Sequence, residues 1–514
     1  MNKCYCATCI GVDAVIVTVE VDLSNGIGIH LVGLPDSAVR ESLLRVVTAL
    51  GSYGFHIPGR RLVVNLAPAD IRKEGSAYDL TIALGILAVS GQIHMQDCDQ
   101  FVIMGELALD GRLRVVPGTL PVALQARAQG FRYALFPAES AAEAAEVDGL
   151  EVYGVSTLAE AIEVLTQRDR CEHLRVDRTK VEVPPRPVCN DFRQVRGQHT
   201  AKRGLEIAAA GGHHIVLVGA PGSGKSLMAS CLPSILPPLT REEAIETGKI
   251  YSVAGRGAGS VALMRERPFR SPHHSASLVS LIGGGQNAAP GEISLAHNGV
   301  LYMDEIAQFS RTLLDSLRQP LEDGKVTISR AKYKVVYPAE FMLVASMNPC
   351  PCGYYGDDGG RCTCSRGVVD SYLSRLSGPL MDRIDLQIWV RSLSAAELLG
   401  YSAPDSPLPP EESSAEIAAR VRAARDVQQQ RFAGERNFTN AAMSARQIER
   451  FCALSAECRK TLEKILDRMG LSARAYTRIL KVARTIADLA GTSDIEPPHL
   501  LEAAGFRFLD RKRC

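Results

Sequence analysis

His214-Ile-Val-Leu-Val218-Gly219-Ala220-Pro221-Gly222-Ser223-Gly224-Lys225-Ser226 is the stretch that decides the fold. The apolar run before Gly219 reads as a short buried strand. The loop that opens at Gly219 has the form G-x-x-x-x-G-K-S, and helix-forming residues follow it. Strand, glycine-rich loop and helix in that order make a phosphate-binding unit rather than a chance turn. Gly219, Gly222 and Gly224 let backbone N–H groups curl round phosphates where side chains would obstruct the approach. Lys225 supplies a point charge to the β- and γ-phosphates, and the Ser226 hydroxyl is placed to ligate Mg²⁺. The loop from Gly219 to Ser226, with Ala220, Pro221 and Ser223, is therefore the expected nucleotide-binding segment.

Roughly eighty residues further on, Val300-Leu-Tyr-Met303 is a second apolar run and ends in Asp304-Glu305. Alone, an apolar strand ending in two acids is a weak signal. Behind a phosphate loop it is a strong one. Asp304 is expected in the Mg²⁺ shell, and Glu305 is placed to orient and deprotonate an attacking water. A third run, Phe341-Met-Leu-Val-Ala-Ser-Met347, ends in the amide of Asn348, which either caps its strand or faces the same site.

Outward from this core, 514 residues are too many for one hydrophobic core, so several domains are expected. Residues 1–170 alternate strand-like runs (Ala14–Val21, Arg61–Leu66, Phe101–Met104, Tyr133–Phe136) with helix-like ones (Asp36–Leu50, Ala77–Ser90, Pro121–Gln129). Residues 171–190 mix charges with Pro184, Pro185 and Pro187 and read as a linker. Residues 191–392 carry the nucleotide motifs. Residues 393–514 pass a proline-rich interruption and then turn helical, at Ala415–Gln430, Ser444–Leu454, Glu457–Met469 and Ala473–Ala490. The expected class is a multidomain α/β protein: an α+β first domain, an α/β phosphate-loop core and a helical last domain. A hydrophobic content of 46% and a charged content of 22% are those of a soluble globular protein. No apolar run approaches the roughly 18 residues of a membrane span, and the first residues lack the apolar stretch of a signal peptide. A cytoplasmic location without a membrane partner is expected. Net charge is +1, so a nucleic-acid surface must come from local clustering.

Two such clusters stand out. Leu321-Glu-Asp-Gly-Lys325-Val-Thr-Ile-Ser-Arg330-Ala-Lys332-Tyr-Lys334-Val-Val-Tyr337 alternates apolar and polar residues around a turn, which predicts a β-hairpin. Lys325, Arg330, Lys332 and Lys334 could follow DNA phosphates in a sequence-independent, salt-sensitive way. The alternative is a solvated hairpin edge that its lysines keep from aggregating. Arg265-Glu-Arg267-Pro-Phe-Arg270-Ser-Pro-His273-His274 is the second cluster, suited to touching DNA or shaping the nucleotide pocket. Among 14 cysteines, Cys350, Cys352, Cys362 and Cys364 form two C-x-C pairs flanking a loop rich in Gly and Asp. Four thiolates can bind a structural Zn²⁺ tetrahedrally, the alternative being a loop of reduced thiols. Cys4, Cys6 and Cys9 lack a fourth ligand at a matching spacing and read as ordinary thiols.

Five longer strings add to these motifs: Val32-Gly-Leu-Pro-Asp-Ser-Ala-Val-Arg-Glu-Ser42, Val64-Asn-Leu-Ala-Pro-Ala-Asp70, Arg267-Pro-Phe-Arg-Ser-Pro-His-His274, Met347-Asn-Pro-Cys-Pro-Cys-Gly353 and Ser472-Ala-Arg-Ala-Tyr476. With them the chain resembles, end to end, the ComM/YifB family of magnesium-chelatase-like AAA+ ATPases. The resemblance implies ATP with Mg²⁺ as cofactors and a ring of six copies. It implies that Asn348 is sensor 1, holding the lytic water near the γ-phosphate. Ser377-Gly-Pro-Leu-Met-Asp-Arg383 resembles the segment carrying the arginine finger, with Arg375 as competitor. Arg474 resembles sensor 2, with Arg478 one helical turn on as the alternative. Either could instead be a surface salt-bridge residue. In related helicases a hairpin placed like 325–337 points into the pore. For ComM members the resemblance implies ATP-driven branch migration of DNA during recombination of incoming single strands.

Lys73-Glu-Gly-Ser-Ala-Tyr-Asp-Leu-Thr-Ile-Ala-Leu84 and Gly105-Glu-Leu-Ala-Leu-Asp-Gly111 lie where the proteolytic domain of Lon has its serine loop and the start of its lysine segment, so the first domain resembles that domain. A Ser-Lys dyad needs a hydroxyl and a desolvated amine within hydrogen-bond reach. Laid on Lon's pattern, those positions fall at Ala77 and Leu120, and no lysine occurs between Lys73 and Lys180. A proteolytically dead scaffold for assembly or partner binding is expected. The leading expectation is thus a homo-hexameric DNA motor acting on single-stranded or branched DNA. The alternatives are a chelatase-type ATPase that remodels a protein partner, and an ATP-gated scaffold.

Overall fold

The computed structural model describes residues 1–178, 190–256, 263–285, 287–329, 334–356, 359–393, 401–403, 406–407, 410–435, 439–470 and 472–510. The first unit is built on β1 (Asn2–Ile10), β2 (Asp13–Ser24), β3 (Ile29–Val32), α1 (Ser37–Ser52), β4 (Arg61–Ala67), α2 (Asp79–Val89), β5 (Phe101–Ile103), α3 (Thr119–Ala128), β6 (Tyr133–Pro137), α4 (Ala138–Ala144), β7 (Glu151–Val155) and α5 (Leu158–Thr166). Seven of its strands form one mixed sheet in the order β3-β4-β2-β1-β5-β6-β7. β1 and β2 are an antiparallel hairpin closed at Ile10 and Asp13. Val17, Val19 and Val21 alternate inward along β2, as the period of two requires. Cys4 and Cys6 do the same on β1, so these thiols are core side chains. α2 is apolar from Leu80 to Leu87 but for Thr81, whose hydroxyl donates to the Ile103 carbonyl at 2.7 Å, and it is correspondingly buried all round. Its one charge, Asp79, is paired with Arg45 of α1 at 2.8 Å.

Behind this unit lie α6 (His199–Gly211), β8 (Ile215–Gly219), α7 (Lys225–Cys231), α8 (Arg241–Val253), β9 (Phe269–Arg270), β10 (Val300–Met303), β11 (Lys325–Ser329), β12 (Lys334–Pro338), β13 (Met342–Met347) and β14 (Leu386–Val390). Five of the strands form a parallel sheet in the order β9-β10-β13-β8-β14. A parallel sheet is covered on both faces, which is why its strands read as unbroken apolar runs. Ile215 and Leu217 point into one core, while Val216 and Val218 point into the other. β11 and β12 leave the sheet as a separate two-stranded hairpin.

The last part is helical: α9 (Ser414–Arg431), α10 (Ala445–Phe451), α11 (Ala456–Met469), α12 (Ala473–Leu489) and α13 (Pro497–Gly505). These helices pack with α6 on one face of the parallel sheet. A buried polar network ties them there. His213 joins Asp385 at 3.0 Å and Thr485 of α12 at 2.8 Å, and Arg478 of α12 reaches the same Asp385 at 2.6 Å. Burial alone would raise the Asp385 carboxyl, but the Arg478 guanidinium and His213 outweigh it and hold it far below the usual carboxylate range. Among the described residues, no helix is long and apolar enough to cross a membrane.

Candidate ATP site

In a parallel sheet all strands end on one edge, so residues just past the strand ends gather there. Gly219 ends β8, Asp304 follows β10 and Asn348 follows β13. Because β13 lies between β8 and β10, Asn348 stands between the phosphate loop and the acidic pair.

The loop backbone allows no bulk at two points. A Cβ on Gly219 would stand 2.4 Å from the Val390 carbonyl oxygen, and Gly224 has φ +90°. Lys225 begins α7 and folds back over the loop. Its ammonium donates to the carbonyls of Gly219 at 2.7 Å and Ala220 at 2.8 Å, and to Asn348 Oδ1 at 3.3 Å. Burial lowers its pKa below the ordinary value, against the pull of Asp304 and Glu305. The Ser226 hydroxyl donates to Asp304 Oδ2 at 3.2 Å, so the two expected Mg²⁺ ligands are already neighbours. Burial works to raise the Asp304 carboxyl, yet hydroxyls of Ser346, Tyr302 and Ser226 prevail and leave it lowered. It is held as an anion, the form a cation needs.

Glu305 turns out of the strand with φ +49°, in the left-handed region. Its N–H donates to Asp304 Oδ1 at 3.0 Å and to Ser346 Oγ at 3.2 Å, and its carboxylate accepts from Gln308. Ser346 in turn donates to Asp304. This hydroxyl fixes both acids at once, and the sequence reading missed it. The available signal was its position, as the lone polar side chain inside the apolar run of β13. Gln198 was missed as well. Buried beside the loop, it donates to the Ser223 carbonyl at 3.4 Å and the Arg391 carbonyl at 2.7 Å.

The arginines separate. Arg375 donates to the Ala307 carbonyl at 3.2 Å, beside the Asp304–Glu305 turn of its own chain. Arg383 precedes β14, whose Leu386 pairs with Ile215 and whose Val390 pairs with Gly219. Arg383 is therefore at the far end of the sheet from its own phosphate loop, roughly 13 Å of strand away. There it donates to the Pro379 carbonyl at 2.7 Å and pairs with Glu322. Arg474 lies at the same end, pairing with Asp382 at 3.1 Å, and its side chain is 69% exposed. Arg478 is only 23% exposed and is committed to Asp385.

Cys350, Cys352, Cys362 and Cys364 converge, with all four sulfurs within 4.8 Å of one another. Cys350 lies 3.2 Å from Cys352 and 3.8 Å from Cys362, and Cys352 lies 3.6 Å from Cys362. A tetrahedron with metal–sulfur bonds of about 2.3 Å has edges of about 3.8 Å, so the donor set suits Zn²⁺. The Tyr355 N–H donates to Cys350 Sγ at 3.3 Å, the kind of outer contact that steadies a thiolate. This knob touches the nucleotide loop: a Cβ on Gly353 would stand 2.7 Å from Cδ of Pro221.

Of the basic hairpin residues, Lys325 and Lys334 are exposed on the outer face of β11 and β12. Arg330 and Lys332 lie outside the described residues. The rings of His273 and His274 lie with centroids 4.0 Å apart, tilted by 36°, and His274 meets Phe309 edge-on.

A family described as "Magnesium chelatase, subunit ChlI" matches residues 191–398. Companion families, "Subunit ChlI of Mg-chelatase" and "Magnesium chelatase, subunit ChlI C-terminal", match residues 19–140 and 411–507. The chain is 42% identical over 505 residues to the protein YifB of Salmonella typhimurium, covering 98% of this chain and 96% of the relative. It is 43% identical to the competence protein ComM of Haemophilus influenzae, covering 99% and 97%. To the magnesium-chelatase 67 kDa subunit of Chlorobaculum tepidum it is 29% identical over 162 residues, 31% of this chain and 23% of that subunit.

Proposed function

The chain belongs to the magnesium-chelatase-like family of ATPases that includes YifB and ComM, and we propose that it is a ring-forming AAA+ motor coupling ATP hydrolysis to movement on DNA. One observation carries the DNA part. The β11–β12 hairpin is inserted between the strand ending in Asp304–Glu305 and the strand ending in Asn348. Any shift of these two strands during hydrolysis is handed directly to a hairpin with a lysine-bearing outer face. That one relative is named a competence protein fits a task on incoming single strands, such as branch migration.

In this reading Lys225 exchanges its loop carbonyls for the β- and γ-phosphates. Ser226 and Asp304 would hold the Mg²⁺ that arrives with ATP, and the charge of that ion would stabilise the transferred phosphoryl group. Glu305 takes the proton of the attacking water while Asn348 positions it. Arg383 and Arg474, at the opposite end of the sheet from their own loop, serve the nucleotide of a neighbouring copy, which calls for an oligomer; the family resemblance makes that a ring of six. The first domain is read as Lon-like but without a dyad, since Ala77 and Leu120 carry neither hydroxyl nor amine.

The test is ATP hydrolysis by the purified chain with and without single-stranded and branched DNA, at two salt concentrations. Stimulation of about tenfold that fades as salt rises is the expected result, because phosphate contacts release counterions. Hydrolysis indifferent to both DNAs would transfer the motor to a protein partner, the chelatase-type alternative.

The four cysteines would hold one Zn²⁺ and cross-link the loop that leans on Pro221. Metal analysis should find about one zinc per chain, dropping well below half in Cys352→Ser, with ATP hydrolysis reduced about threefold or more. Full zinc content in that variant, or none in the parent chain, would refute the metal site.

A further inference from the structure

The first domain is not merely tethered to the nucleotide core. It docks on it at two places. α8 makes the first. The Gly118 N–H donates to the Ser252 carbonyl at 3.0 Å, and the Ser252 hydroxyl donates to the buried Glu143 at 2.7 Å. Leu120 packs on the same helix, for a Cβ on Gly248 would stand 2.9 Å from its Cδ2. The position where a proteolytic dyad would need its lysine is thus an interdomain contact.

The turn between β1 and β2 makes the second, with three consecutive residues. Gly11 is buried against β12: a Cβ there would stand 2.6 Å from Val335 Cγ1. Val12 packs against the apolar cluster that contains Val326, Ile328, Val335 and Tyr337 of the hairpin. Asp13 pairs with Lys249 of α8 at 2.7 Å. From the other side, the Tyr337 hydroxyl donates to the Ala288 carbonyl at 2.9 Å, and Ile328 lies over Gly283. The hairpin's apolar face is therefore gripped from two directions, while Lys325, Thr327, Ser329 and Lys334 face outward. Val335 directly follows Lys334, so the grip is close to one of the lysines assigned to DNA in the proposed function.

We propose that the β1–β2 turn of the first domain is a positioning element for the β11–β12 hairpin, fixing the attitude at which its basic face meets nucleic acid. This rests on the DNA-motor reading for its purpose but not for its contact. A two-stranded hairpin is marginal by itself in water, so what it leans on decides its order. The first domain then acts in the motor without chemistry of its own.

The test compares the full-length chain with Gly11→Ala, Val335→Ala and the double variant. Hydrogen exchange is followed first, without nucleic acid. In Gly11→Ala the new methyl displaces Val335 and the left-handed backbone at φ +64° must carry a side chain, so hairpin amides should exchange about tenfold faster, with β8 and β13 unchanged. Val335→Ala, which takes away what Gly11 leans on, should act in the same direction. In the double variant the nearest atoms to the new methyl are the Val336 oxygen at 3.7 Å and Val335 Cβ at 3.9 Å, so protection should return in part. Next, hydrolysis is titrated with a single-stranded oligonucleotide. Gly11→Ala should keep its unstimulated rate within about twofold and need about fivefold more oligonucleotide for half-maximal stimulation. A merely structural lesion would lower the unstimulated rate too. Unchanged hairpin exchange in both single variants overturns the proposal, as does altered exchange with an unaltered oligonucleotide response. A parent chain that ignores the oligonucleotide fails the DNA reading instead, and exchange alone then decides whether the turn holds the hairpin.

Discussion

Glu305→Gln should lose ATP turnover by about 10²–10⁴-fold while still binding ATP. Glu305 stands in a left-handed backbone conformation with its N–H shared between Asp304 and Ser346, so its side chain is aimed by the main chain. An amide of the same shape keeps those bonds and the turn. What it loses is the capacity to accept the proton of the attacking water. Nothing that grips the nucleotide changes, because Lys225, Ser226 and Asp304 are untouched. Affinity for ATP, read with a fluorescent analogue, should stay within about threefold, because general-base catalysis acts on the chemical step and not on ground-state binding. Hydrolysis near the parent rate would show that another group activates the water, and would remove Glu305 from the mechanism. Ser346→Ala is the informative companion. It frees both acids together, so it should weaken Mg²⁺-dependent binding as well as turnover.

The parts of this site that were legible in the sequence are those written in local order. A phosphate loop is a backbone shape made by neighbouring residues, and an acidic pair at a strand end needs only the strand. The long helices read equally well: the spacing placed one at Glu457–Met469, and the structure has α11 at Ala456–Met469. The first two strands show where this stops. Ala14–Val21 is legible but β1 is not, because Asn2–Ile10 opens on Asn and Lys and carries three cysteines where β-branched residues usually announce a strand. Ser346 and Gln198 were hidden for another reason. Each works by touching a residue far away in sequence, and a lone polar residue in a strand or before a helix has many ordinary explanations. The docking of Gly11 on Val335 joins residues more than three hundred positions apart, and no local pattern encodes it. Strand order belongs to the same class. That β14 lies beside β8, and therefore that Arg383 is far from its own loop, follows from tertiary pairing alone.

That separation gives the second large effect. Arg383→Ala should reduce turnover by about 10³-fold, the usual value of a finger that meets charge developing on the γ-phosphate. Its own nucleotide is out of reach across the parallel sheet, so ATP binding should be nearly unaffected. The loss of its pairing with Glu322 should cost no more than about 1 kcal/mol of stability. Mixing makes the geometry decisive. A site with intact Glu305 from an Arg383→Ala chain, facing intact Arg383 from a Glu305→Gln chain, has every catalytic part. Random assembly of equal amounts in a head-to-tail ring puts about one interface in four in that state. Two nearly inactive proteins should therefore recover about a quarter of the parent rate on mixing. If the arginine worked within its own chain, each chain would still carry its own defect and no ratio of the two would restore hydrolysis. Arg474→Ala, mixed in the same way, asks whether the exposed arginine at the same end of the sheet is offered to the same neighbour. Recovery with both partners would make the far end of each sheet the second half of the next copy's active site.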